Sequence, residues 1–270
     1  MMFQFSKNQV FAVIIAIFIA TQLIGLYTAG EYIKYINAGE LTPIFDNPND
    51  VGNSFQMVFY ILAVTAVFIM VIKYKKSLIR VVEALAIFFT SAIVFDFAFP
   101  QVLGLGEVLA LILTGWKMFK PTHLKQNVAL VISVAGAGAV VGVSFAILPI
   151  LVFMLLLSVY DFISVFITKH MVYIAKAITE TPTAFTAAIP CKKPKHVFQL
   201  GGGDLMMPLA FSASVLNYHG PISALFASAG AFATMILLFY FVLKKPGQAL
   251  PALPPICAGA CIGFALSLLL

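Results

Sequence analysis

The chain is predicted to be an all-α polytopic membrane protein with nine transmembrane helices. Three observations carry that reading. The 270 residues are 62% hydrophobic and 10% charged, with a mean hydropathy of +1.05; soluble domains are nearer half apolar and a quarter charged. The apolar residues gather into runs able to cross a hydrocarbon core of about 30 Å, which takes roughly 17–25 residues of helix. The runs part at helix breakers: Pro100, Pro149, Gly220-Pro221 and Pro246-Gly247. A single transmembrane domain over residues 1–270 is expected.

The first span, residues 9–28, is longer than a signal-peptide core and lacks a small-residue cleavage site, so it is expected to remain as an anchor. Residues 54–72 follow as an apolar run. Span 81–99 holds Glu83 and Asp96, and the short span 103–119 holds Glu107, acids that could line an ion path. Span 127–148 contains Gly136, Gly138 and Gly142. Their spacing suggests a dinucleotide loop, but no strand precedes them, and mid-span glycines serve close helix packing. Span 150–168 carries Tyr160-Asp161. Span 199–219, weakened by Gly201, Gly202 and Gly203, carries Asp204; spans 221–243 and 248–270 close the chain.

Cys191, Cys257 and Cys261 form no CxxC pair, and Cys257 and Cys261 share a helix face at i, i+4 as packing residues do. His123, His170, His196 and His219 are scattered at helix ends without ligand spacing. No metal or other cofactor is expected.

The net charge of +6 would suggest nucleic acid in a soluble protein. Here the basic residues sit between apolar spans, where lipid headgroups are the expected partner and nucleic acid is not. With nine spans, Lys7, Lys73, Lys75, Lys76, Arg80, Lys117, Lys120 and Lys125 share one side with Lys169, Lys176, Lys192, Lys193, Lys195, Lys244 and Lys245. Of the 16 basic residues, only Lys34 falls opposite, beside Glu31, Glu40, Asp46 and Asp50. The positive-inside rule then predicts a multi-pass protein of the cell membrane, N-terminus cytoplasmic and C-terminus extracellular.

That orientation sets Asp161 about 12 Å from Lys169 and Asp204 about 13 Å from Lys195 if both stretches are helical. Two carboxyls at matched depth on antiparallel neighbours could face each other. A carboxylate in hydrocarbon costs about 2.5–3.5 kcal/mol, so two retained acids suggest acid–base chemistry inside the bilayer. Packing glue is the plainer alternative. The three glycines before Asp204 let another backbone approach, as an extended substrate strand or a close helix would.

Tyr160-Asp161, the GxGD pattern from Gly201 to Asp204, and Pro251-Ala252-Leu253, in that order, resemble the presenilin and signal-peptide-peptidase family of GxGD intramembrane aspartyl proteases. The size and mixed motifs are most similar to prokaryotic, especially archaeal, presenilin homologues. The resemblance implies a presenilin-like fold with its catalytic part in residues 150–270. It makes Asp161 and Asp204 the catalytic pair, with Gly201, Gly202 and Gly203 shaping the approach to Asp204. It gives Tyr160 a supporting role beside Asp161, and Pro251, Ala252 and Leu253 a role in bordering the site and holding substrate. It implies cleavage of transmembrane protein or peptide substrates without a metal. The connection from residue 168 to 199 is short beside that of animal presenilins, so a single-chain enzyme without obligatory subunits is expected, free to oligomerise.

Two carboxyls sharing a site cannot both ionise, so the pair is expected to hold one proton and to activate water with the other member. The prolines at 251, 254 and 255 predict an extended or loosely wound entry to the last span, with backbone groups open to an unwound substrate. Two other readings stand beside this one. An ion channel or secondary transporter could use the same acids, although no internal repeat supports it. A prepilin-peptidase-like protease would also use GxGD, but with fewer spans and no PAL segment.

Overall fold

The computed structural model describes residues 6–74, 76–167, 186–190, 197–244 and 251–270. Lys75, Lys169, Lys176, Lys192, Lys193, Lys195, Lys245, His170, His196, Cys191 and the Pro246-Gly247 turn lie outside the described residues.

Helix α1 (Lys7–Asn37) starts with a capping box: Gln9 N–H donates to the Ser6 hydroxyl and Ser6 N–H to Gln9 Oε1. It runs well past the expected end at 28, for 31 residues or about 46 Å. Its last turns tolerate charge because Glu31 and Lys34 pair at 2.7 Å, one turn apart. Then follow α2 (Gly52–Tyr74), α3 (Lys76–Ala98), α4 (Leu105–Met118), α5 (His123–Val143) and α6 (Ile147–Phe162), the last widening into one π-helical turn, Ile163–Ile167.

An antiparallel hairpin comes next, β1 (Thr186–Pro190) on β2 (Val197–Gly201), and β2 leads directly into α7 (Gly202–Lys244). Helix α7 breaks at Gly220 (φ 83, ψ 179), where Pro221 follows, as the Gly-Pro step predicts. Its arms are residues 202–219 and 221–244. Helix α8 (Leu253–Ser267) ends the fold.

Two expectations need correction. Residues 199–201 are strand, and the hairpin itself was unforeseen, because a short apolar run fits a buried strand as well as a span. The last helix starts at 253 instead of 248.

Among the described residues, five helices are long and apolar enough to cross a membrane: Asn8–Asn37, Leu78–Ala98, His123–Val143, Ile147–Ile167 and the kinked Gly202–Val242. Gly52–Val67 and Leu253–Ser267 are shorter apolar helices. The architecture is all-helical and multi-pass apart from the hairpin.

Helix α5 sits at the centre, packed by α1, α3 and α7. Its glycines are packing devices, as expected. An added Cβ would stand 2.1 Å from Thr90 O at Gly136, 2.7 Å from Leu209 Cδ2 at Gly138 and 2.2 Å from Ala210 O at Gly142. Gly25 of α1 closes on the same Leu209 side chain. Lipid is as apolar as leucine, so close backbone approach of this kind holds membrane helices together. Helix α3 meets α4 through an ion pair between buried Glu83 and buried Lys117. At the other end of α2, Ser54 Oγ donates to Pro149 O of α6 at 2.6 Å.

Candidate active site

Asp161 ends the regular part of α6, and Asp204 lies in the first turn of α7. Helix α6 packs against both α7 and α8, which brings the two half-buried carboxyls within electrostatic range of each other. Lys169 and Lys195, from which the depth of the two aspartates is reckoned, lie outside the described residues, and residues 197–201 before Asp204 are strand and not helix.

Each acid is held by backbone. Leu253 N–H donates to Asp161 Oδ2 at 3.3 Å, and Ser164 Oγ in the π turn donates to Asp161 O at 2.9 Å. A π turn widens a helix locally and recurs at functional sites. Tyr160, half-buried, interacts electrostatically with Asp161. The Asp204 carboxyl accepts from Gly201 N–H, the returning half of a capping box in which the third helical residue reaches back to the cap. An added Cβ at Gly201 would lie 3.1 Å from Asp204 Oδ2, whereas one at Gly203 would meet no atom within 4 Å. Gly203 is exposed and Gly202 half-buried, so the turn carrying Asp204 opens onto space.

The PAL stretch meets its expectation only in part. Pro251 and Ala252 precede the helix, but Ala252 already has helical angles (φ −86, ψ −28). Of the backbone groups expected to be open to substrate at this entry, the Leu253 N–H is donated to Asp161. Proline at the first helical positions explains this: the chain lacks the N–H groups that a helix start leaves unpaired anyway.

Two residues enter that the sequence reading left aside. Cys257, buried one turn beyond Leu253, hydrogen-bonds Ser158 of α6 and lies within electrostatic range of both aspartates. Gln22 of α1 donates from Nε2 to Leu205 O at 3.4 Å, while its Oε1 takes the Ser228 hydroxyl at 3.1 Å. Ser228 lies 2.9 Å from Ser212, so the network joins α1 to both arms of α7. A glutamine amid apolar residues was the available signal, because a polar side chain in hydrocarbon seeks partners on other helices.

The remaining acids lie elsewhere. Glu83 is engaged with Lys117, and Asp96 packs against Gly106 at the start of α4 with Glu107 nearby.

The family model described as signal-peptide peptidase, presenilin aspartyl protease matches residues 15–270. A comparison with curated protein sequences finds no match. The fold is similar to a solved structure of a presenilin family intramembrane aspartate protease in a C222 crystal, with TM-score 0.72 and 24% identity, covering 96% of this chain and 99% of that one. A P2 crystal structure described in the same words gives TM-score 0.68 and 24% identity, over 94% and 96% of the two chains. The chain thus belongs to the signal-peptide peptidase and presenilin family, and it is an intramembrane aspartyl protease.

Proposed function

We propose that Asp161 and Asp204 are the catalytic pair and that they hydrolyse peptide bonds within transmembrane segments. The observation that carries this is their meeting: two acids from separate helices lie within electrostatic range, each anchored by a backbone N–H. One member, ionised, takes a proton from water as the water oxygen bonds to the scissile carbonyl carbon. The other, protonated, donates to the carbonyl oxygen. The C–N bond then breaks as a proton passes to the leaving amine, giving a carboxyl and an amino terminus. Tyr160 supports Asp161, Gly201, Gly202 and Gly203 keep the mouth beside Asp204 open, and Pro251, Ala252 and Leu253 border the site.

A helical substrate must unwind before water can reach its peptide bond. Unwound backbone at that depth needs partners, and β2 is joined by a strand on one side only among the described residues. The substrate strand lies along that second edge. In the membrane we place nine crossings, with residues 150–270 catalytic, the N-terminus in the cytoplasm and the C-terminus outside, as the charge distribution favours.

Reconstituted enzyme given a single-span peptide tests the pair directly. Asp161→Asn and Asp204→Asn should each abolish cleavage in a folded protein, and the double variant should be no worse than either single one, because the two act as a unit. Substantial cleavage by either single variant would remove the two-carboxylate mechanism.

A further inference from the structure

The hairpin before α7 has two edges, and α5 occupies one of them. Asn127 Nδ2 donates to Ala188 O at 3.3 Å, while Ala188 N–H donates to Asn127 Oδ1 at 2.9 Å. This exchange of two bonds with one residue is what a hydrogen-bonded pair does in an antiparallel ladder. Gln126, buried beside it, donates from Nε2 to Thr186 O at 2.5 Å. Thr186 and Ala188 are two residues apart, the repeat at which a strand presents backbone groups to one edge. The two side-chain amides thus act as a short false strand along β1.

Across the sheet, Ala188 faces Gln199 and Thr186 faces Gly201. An unbroken line of fixed pairings therefore runs from α5 through β1 to β2. Strand β2 is held at its end by the chain leading to Asp204, and at its side by β1. Ala187, Ala188 and Ile189 are buried on both faces of β1 and hold it by packing, and the amide contacts add ties at named backbone atoms. Among the described residues, the amides of Gln126 and Asn127 tie the backbone of Thr186 and Ala188 to α5.

We propose that Asn127 is a positioning residue that sets the register of cleavage. By pinning β1 to α5 it fixes where β2, and a substrate strand paired along β2, stands relative to the aspartates. This rests on the reading that Asp161 and Asp204 cut a strand laid on that edge. A strand rises about 3.3 Å per residue and alternates faces, so a substrate strand paired with a loosened hairpin changes register in steps of two residues.

The test uses full-length enzyme in liposomes and a synthetic lysine-flanked peptide with about 20 apolar residues, a length that spans one bilayer. A glycine pair at its midpoint eases unwinding. Product masses give the bond cut. Asn127→Leu keeps the side-chain size and loses both bonds. It should spread cleavage to bonds two residues either side of the main one and lower kcat/KM about tenfold, with a lowered Tm because the buried Ala188 backbone groups lose their partner. Asn127→Asp keeps the acceptor for Ala188 N–H and should retain the main bond with a smaller loss. A wild-type product pattern from Asn127→Leu overturns the proposal even if turnover falls. If that variant does not fold, Gln126→Met, which loses the bond to Thr186 O, takes its place: a spread of products supports the proposal and a wild-type pattern overturns it. Asp204→Asn is run alongside: cleavage by that variant would sink the catalytic reading, while the product spread judges Asn127 separately.

Discussion

Gly201 and Gly203, two residues apart, are glycine for different reasons. At Gly201 a methyl group would crowd the Asp204 carboxyl, whereas at Gly203 it would project into open space beside it. Gly203→Ala should therefore fold normally and still lower kcat/KM about tenfold, because only an arriving substrate meets the new methyl. Equal kcat/KM for variant and wild type, on a reconstituted peptide, would show that the substrate passes elsewhere. Gly142→Ala should act oppositely. Its methyl meets the Ala210 backbone 2.2 Å away, which cannot turn aside, so overpacking should cost about 1–3 kcal/mol, read as a lowered Tm. The two aspartates were legible in the sequence since a carboxyl in hydrocarbon is too costly to be incidental. Gln22 stood out as a polar residue amid apolar ones, but neither its partners nor those of Asn127 could be named until the facing helix or strand was in place.

At the scale of elements, the five helices long enough to cross a membrane were legible from length and apolarity, and the Gly220 break from its Gly-Pro step. The hairpin was hidden by its own hydrophobicity. The α1 overrun was hidden by charges that pair along the helix instead of ending it. The α3–α4 contact makes a separate prediction. Glu83→Gln leaves the Lys117 ammonium buried without its counter-charge, and breaking such a pair costs about 3–5 kcal/mol. The double variant Glu83→Leu with Lys117→Met removes both charges and should recover most of that loss. Thermal unfolding in detergent separates the two. A double variant as unstable as the single one would mean the pair contributes more than the relief of its own burial.

For the whole molecule, orientation is the exposed claim. Reporters fused after Lys76 and Lys193 should read cytoplasm, and one near Asn47 the exterior. An exterior signal at Lys193 would place the aspartates near the wrong face. The rate should also follow a bell-shaped pH profile whose limbs belong to the pair jointly, measured as kcat/KM in liposomes. A single sigmoid would indicate one titrating acid in place of two. Hydropathy made the all-helical, multi-pass class readable from sequence, whereas the approach of α6 to α7 and α8 depends on packing that only three dimensions supply.

Gly230, Gly259 and Gly263 bring the second arm of α7 and α8 into backbone contact, with an added Cβ at Gly230 only 2.1 Å from Gly259 O. Asp204 and the PAL stretch thus ride on neighbouring parts of one interlocked pair. Asp161 belongs to α6, whose ties to α8 include Leu253 N–H to Asp161 and Cys257 to Ser158. The separation of α6 from that pair is thus also the separation of Asp161 from both Asp204 and the PAL stretch. A spectroscopic ruler with one label on α6 and one on α8 would read the enzyme's working state as a single distance.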